Sequence, residues 1–150
     1  MSGETDLIKL YSTKILELSA DIPHLKRLEN PDASVKRRSP LCGSTVTVDV
    51  VLEAGRVAKF GQDVKACALG QAAASVLGAA VIGRSFEELS NARAQLKAML
   101  TAGGPTPDAP FHGLEVLSPA REFRNRHASI LLALDATVEA VATAKHSSCA

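Results

Sequence analysis

The stretch TVTVDVVLEAGRVAKFGQDVKACALGQAAASVLGAAVIG, residues 45–83, changes its periodicity midway, and that change sets the fold. From Thr45 to Leu52 apolar and polar residues alternate. Val46, Val48, Val50 and Leu52 share one side, and Thr45, Thr47 and Asp49 share the other. A period of two belongs to a strand with one buried face. Ala54-Gly55 then reads as a turn and Arg56 to Val64 as a second strand, so the short connection predicts an antiparallel hairpin. From Cys67 to Gly83 the residues are small or apolar almost all round, as in a helix buried on most sides.

Working outward, Asp6 to Ala20 reads as a helix with Leu7, Leu10, Tyr11, Ile15 and Leu18 on one face, stopped by Pro23. Residues 24–40 are polar and carry Pro31, Pro40 and the run Lys36-Arg37-Arg38, which predicts a loop with one short edge strand. Downstream, Ser85 to Glu88 has the S-x-x-E form of a capping box, in which two side chains satisfy free amides at a helix start. Its helix turns Phe86, Leu89, Leu96 and Met99 inward and ends at Gly103-Gly104. Residues 103–113, rich in Pro and Gly, form a loop. Ser118-Pro119 reads as a cap followed by proline at a first helical position. A last helix spans Arg124 to Lys145 with Ile130, Leu131, Leu134, Val138 and Val141 inward, and KHSSCA reads as a frayed tail. The sum is an α+β fold, a small antiparallel sheet of about three strands packed against several helices. It forms a single domain over residues 1–150, with an ordered core at 5–142 and a flexible tail at 143–150.

The chain has 150 residues, the length of one ordinary domain. With 46% hydrophobic and 3% aromatic residues, its core is built from Ala, Val, Leu and Ile. A net charge of +1 makes no case for nucleic acid or an anionic membrane as partner. No uninterrupted apolar run reaches the roughly 18 residues of a membrane span, and the N-terminus lacks the pattern of a signal peptide. Three cysteines make a poor disulfide framework, which points to a reducing cytoplasm.

The candidate chemistry lies with three residues. Cys42 precedes Gly43, where backbone can approach closely. Cys67 stands where the second strand gives way to a helix, and a helix N-terminus favours thiolate. Both cysteines fall at strand ends of one hairpin, either as small buried hydrophobes or as members of a shared site. His127 shares a stripe with Ile130, Leu131 and Leu134 but at the helix start, so it points into a cleft or sits half-buried. His24, His112, His146 and Cys149 lie in loops or tail. Two basic clusters, Lys36-Arg37-Arg38 and Arg121, Arg124 and Arg126, are a solvated surface, or stabilise thiolate and attract an acidic partner. Gly78 and Gly83 make no dinucleotide fingerprint.

At these residues the sequence resembles the iron–sulfur cluster scaffold family of IscU, SufU and the NifU N-terminal domain. The family's N-P-x-C-G-D motif is met by Ser39-Pro40-Leu41-Cys42-Gly43-Ser44. Its K-F-x-G-x-G-C-A block is similar to Lys59-Phe60 through Cys67-Ala68. Its H-C-S-I-L block is similar to His127-Ala128-Ser129-Ile130-Leu131, and GLEVLSPAR before it looks SufU-like. The resemblance spans about residues 5–142 and implies a SufE/NifU-like fold with a metal or cluster site near one end. It implies Cys42, Cys67 and His127 as ligands, His127 standing on the histidine of the IscU branch or, one residue shifted, on the third cysteine. Ser44 replaces the family's ligating aspartate and Ala128 its third cysteine; Ser44 and Arg126 would support the site.

The implied function is cluster assembly, a carrier role rather than catalysis. The chain would hold iron, a [2Fe–2S] cluster or Zn²⁺, take sulfur from a cysteine desulfurase and serve acceptor apo-proteins. The alternatives are a zinc-bound sulfur relay of the SufU kind, and a partner-binding module that has lost the metal site. Oligomeric state and acceptors stay open.

Overall fold

Ala54 and Gly55, both at positive φ (53° and 78°), make the two-residue turn that joins the central hairpin. Two left-handed residues in succession match the twist of antiparallel strands. The computed structural model describes residues 12–40 and 43–149, the side chains of 147–149 excepted. Its elements are α1 (Thr13–Ala20), β1 (Ala33–Arg38), β2 (Thr45–Glu53), β3 (Arg56–Lys65), α2 (Ala68–Ala80), α3 (Phe86–Thr101), a 3-10 helix (His112–Glu122) and α4 (Arg124–Cys149). The strands form an antiparallel sheet in the order β1-β2-β3. This is the expected α+β layering.

The inner face of the sheet carries Val46, Val48 and Val50, all buried, beside Val35 of β1 and Phe60 of β3. α4 lies along β1 and β2 and also packs on α2 and α3. Its Ile130, Leu131, Leu134 and Val141 point into the core as expected, while Val138 is only partly buried. Among the described residues this one helix is long and apolar enough to cross a membrane, and 61% of its apolar window is buried inside the fold. Covering a sheet and two helices at once accounts for that composition.

Three sequence expectations change. The early helix begins, among the described residues, at Thr13, with Ser12 accepting from the Ile15 amide; Leu7, Leu10 and Tyr11 lie outside those residues. Ser118-Pro119 does not open a helix but lies inside the 3-10 run. Leu114, Leu117 and Ala120, the buried residues there, recur every third position, which matches about three residues per 3-10 turn. α4 continues past Lys145 to Cys149, since no Gly or Pro stands there to stop it. The capping box forms as read: Ser85 Oγ accepts from the Glu88 amide and Glu88 accepts from the Ser85 amide.

The outer face of the sheet holds the main surprise. Asp49, expected among solvated polar residues, is fully buried. Residues 24–29 cross this face as a strap. Arg27 donates Nε (2.6 Å) and Nη2 (3.1 Å) to the Asp49 carboxylate, the Leu28 amide donates at 2.9 Å and Ser34 Oγ at 2.5 Å. Burial pushes the Asp49 carboxyl up, but Arg27, Ser34 and the Leu28 amide together hold it below its ordinary value. Gly61, opposite Asp49 on β3, is what lets the strap lie so close. A Cβ there would stand 2.2 Å from the Lys26 carbonyl oxygen.

Candidate thiolate site at the end of the sheet

At the end of the sheet opposite the hairpin turn, the β1–β2 connection is closed by backbone bonds. The Ser39 amide donates to Ser44 O (2.8 Å) and the Gly43 amide to Ser39 O (3.0 Å). Gly43 adopts φ +71°, a conformation suited to glycine. Leu41 and Cys42 lie outside the described residues, so Cys42 belongs to this connection by sequence alone. Ser44, buried, places its Oγ 3.1 Å from Ser129 Oγ of α4.

Cys67 occupies the N-cap of α2, just beyond the last residue of β3, and is half-buried. Its Sγ lies 3.6 Å from the same Ser129 Oγ. The first turn of α2 and the first turns of α4 meet closely because residue 70 is glycine. A Cβ at Gly70 would lie 2.8 Å from Ser129 Oγ. Burial alone would push the Cys67 thiol up. The Gly70 amide, the Ser129 hydroxyl, the Leu69 amide and the Arg126 guanidinium more than offset it, so the thiol titrates below its ordinary value. This is a helix N-cap acting on a thiol, strengthened by a cation and a hydroxyl donor.

The structure thus brings together Cys67, Ser44, Ser129 and Arg126. His127 faces a different neighbour. Its Nε2 stands 2.9 Å from Ala120 O, and since a carbonyl only accepts, Nε2–H is the donor. His127 and Ser129 are two positions apart on a helix that turns about 100° per residue, so they diverge by about 160°. His127 lines a separate cleft with Leu100, Thr101, Arg121 and Arg124. Among the described residues no three His, Cys, Asp or Glu side chains gather to hold a metal ion. Ser129 is the residue that sequence reasoning left without a role. It stands in the His127–Leu131 block, but only the close packing at Gly70 shows that it serves both Ser44 and Cys67.

Removing the Ser129 hydroxyl tests the electrostatics directly. A hydrogen bond to a charged group contributes about 1.5 kcal/mol, or roughly tenfold. Ser129→Ala should therefore slow iodoacetamide alkylation of Cys67 at neutral pH by about tenfold, read at that residue by peptide mass spectrometry. An unchanged rate would show that the hydroxyl does not hold the thiolate.

An α+β domain whose sheet ends on a cysteine at a helix N-cap is the class defined so far. The family model of the NifU-like N terminal domain matches residues 10–143, and the chain belongs to that family. Among solved structures it is similar to a nitrogen-fixing NifU-like protein (N-terminal) from Brucella abortus. That match has 38% identity and a TM-score of 0.91, covering 94% of this chain and 98% of that one. A protein of Fervidobacterium islandicum AW-1, provisionally described as an iron–sulfur cluster assembly scaffold for the SUF system, is 19% identical. Its TM-score is 0.79, over 89% of this chain and 98% of that one. A hypothetical protein solved at 2.3 Å is 23% identical with a TM-score of 0.76, over 90% and 98%. The last two establish the shared fold. No curated protein matches the chain.

Proposed function

We propose that this protein is a carrier for iron–sulfur cluster assembly in a reducing cytoplasm. It receives iron and sulfide, holds them as a transient cluster and passes the cluster to acceptor apo-proteins. The observation that carries this reading is Cys67, held toward thiolate by two amides, a hydroxyl and a guanidinium, at the sheet end whose β1–β2 connection contains Cys42. Thiolates are the soft donors that iron–sulfur cargo requires.

The proposed donor set is Cys42, Cys67 and His127, for iron, a [2Fe–2S] cluster or Zn²⁺. His127 would ligate through Nδ1. Ala120 O engages Nε2–H, as a backbone carbonyl commonly does behind a ligating histidine. Because Ser129 rather than His127 faces Cys67, this ligation requires the first turn of α4 to rotate and to carry the Ala120 segment with it, so that the bond to Nε2–H is kept. The hydroxyls of Ser44 and Ser129 are hard, neutral donors and poor ligands for such cargo. At most three protein donors leave part of the coordination exchangeable, which suits a carrier that must release what it holds. A cysteine desulfurase is the proposed sulfur source.

The depressed Cys67 thiol favours a second reading, a zinc-bound sulfur relay. A Cys67 thiolate would attack the outer sulfur of the desulfurase persulfide, form a new S–S bond and release the donor's cysteine thiolate, with no net oxidation. Elemental analysis of the freshly purified protein, repeated after anaerobic reconstitution with ferrous iron and sulfide, separates the readings. The scaffold predicts iron and sulfide together with visible absorption, lost in Cys42→Ser and Cys67→Ser. Zinc alone would favour the relay. Neither would reduce the protein to a partner-binding module. His127→Ala should weaken retention by about tenfold or more if the imidazole ligates.

A further inference from the structure

We propose that the outer face of the sheet beside Cys67 is the docking surface for an acidic surface of the sulfur donor. This inference rests on the carrier or relay reading of Cys67. The strand register orders the outer-facing residues into rows across the sheet. Arg38, Thr45 and Lys65 form the row nearest Cys67. Lys36, Thr47 and Asp63 form the next, and Ser34, Asp49 and Gly61 the third. The third row is covered by the strap, and its Asp49 is neutralised by Arg27. The first two rows are open. Arg38, Lys36 and Lys65 are exposed, and none forms an ion pair among the described residues. Arg37, whose side chain faces α4, is instead paired with Glu139 at 2.6 Å. The acid of the patch, Asp63, already adds to the field on Arg27.

Geometry selects the occupant. Strands lie about 4.8 Å apart, so Arg38 and Lys65, two strands apart, are separated by about 10 Å at their Cα atoms. Lys36 and Arg38 are about 7 Å apart along β1. Three cations spread this widely match carboxylates distributed over a protein surface better than one small anion. The whole chain carries only +1, so this concentration of charge is local. It adjoins the residue that must meet the donor, since Lys65 ends the strand that leads into Cys67. Charges at the rim of a contact mainly raise the association rate and make it salt-dependent.

The test measures binding of the full chain to a cysteine desulfurase from the same organism at low and physiological salt. Sulfur transfer from the labelled persulfide is followed in parallel. Wild type should lose affinity steeply as salt rises. Lys36→Glu, Arg38→Glu and Lys65→Glu combined should slow association by about tenfold or more and flatten that dependence. The corresponding glutamine triple should fall between, and circular dichroism should show both triples folded. Cys67→Ser should bind as wild type yet accept no sulfur. A glutamate triple with wild-type association and salt dependence overturns the docking surface. Salt-dependent binding of RNA or anionic vesicles, with none to the desulfurase, overturns it too. Continued sulfur transfer to Cys67→Ser would overturn the reading of Cys67 and leave the surface standing.

Discussion

Replacing Asp49 with alanine is expected to cost about 3 kcal/mol of stability and lower Tm by about 6–12 °C. The carboxylate ties the strap to β1, through Arg27 and the Leu28 amide on one side and Ser34 on the other. Removing it strands the Leu28 amide against the sheet, whereas the exposed Ser34 can turn its hydroxyl to solvent. Arg27 is half exposed and can turn to solvent, so Arg27→Ala should cost less than Asp49→Ala. The pH dependence follows from the direction of the shift. The folded carboxyl titrates below its ordinary value, so its stabilisation is full above the ordinary carboxylate range. It is lost as pH falls through the lower, folded value. Urea unfolding of wild type and Asp49→Asn should therefore differ at pH 7 and converge in strong acid. Equal midpoints at pH 7 would mean that the strap is not anchored by charge.

Ser44→Asp should convert the site into a stronger metal binder. Its side chain would enter the space around the Ser129 hydroxyl, which lies 3.1 Å from Ser44 Oγ and 3.6 Å from Cys67 Sγ in the present structure. Without metal, a carboxylate buried beside a thiolate is unfavourable. The variant should lose about 1–3 kcal/mol of stability and react more slowly with iodoacetamide at Cys67. With zinc or ferrous iron the carboxylate becomes a hard ligand. Loss of an outer-shell partner alone costs about 10–100-fold in affinity, so a new direct donor should tighten retention by at least about tenfold. Since metal binds the folded state, Tm of the variant should rise on adding metal by more than wild type does. A variant destabilised equally with and without metal would show that no ion is held beside residue 44.

Periodicity made the architecture legible where one element buries one face. The alternation of Val46, Val48 and Val50, the Ala54-Gly55 turn and the Ser85–Glu88 cap all stand where the sequence places them. Reading failed where a polar residue is buried or a helix departs from the α period. Asp49 follows the strand alternation faithfully, yet nothing local announces that a strap will cover it. Ser118-Pro119 carries a helix-start signal, but the three-residue spacing of Leu114, Leu117 and Ala120 outweighs it.

The candidate site divides in the same way. The chain alone determines that Cys67 begins a helix, because the strand alternation ends before it and the small, apolar run starts after it; that position already biases the thiol toward thiolate. The cationic rows are not legible in this way: the hairpin fixes the register of β2 on β3, but Lys36 and Arg38 join the rows only through the pairing of β1 with β2. Which side chains meet Cys67 is decided only by tertiary packing. Gly70 lets α2 and α4 approach until Ser129 reaches both Cys67 and Ser44, and the turn of α4 carries His127 away toward Ala120. Local sequence sets the direction a residue faces on its own helix, but the partner it faces depends on how closely two helices can approach.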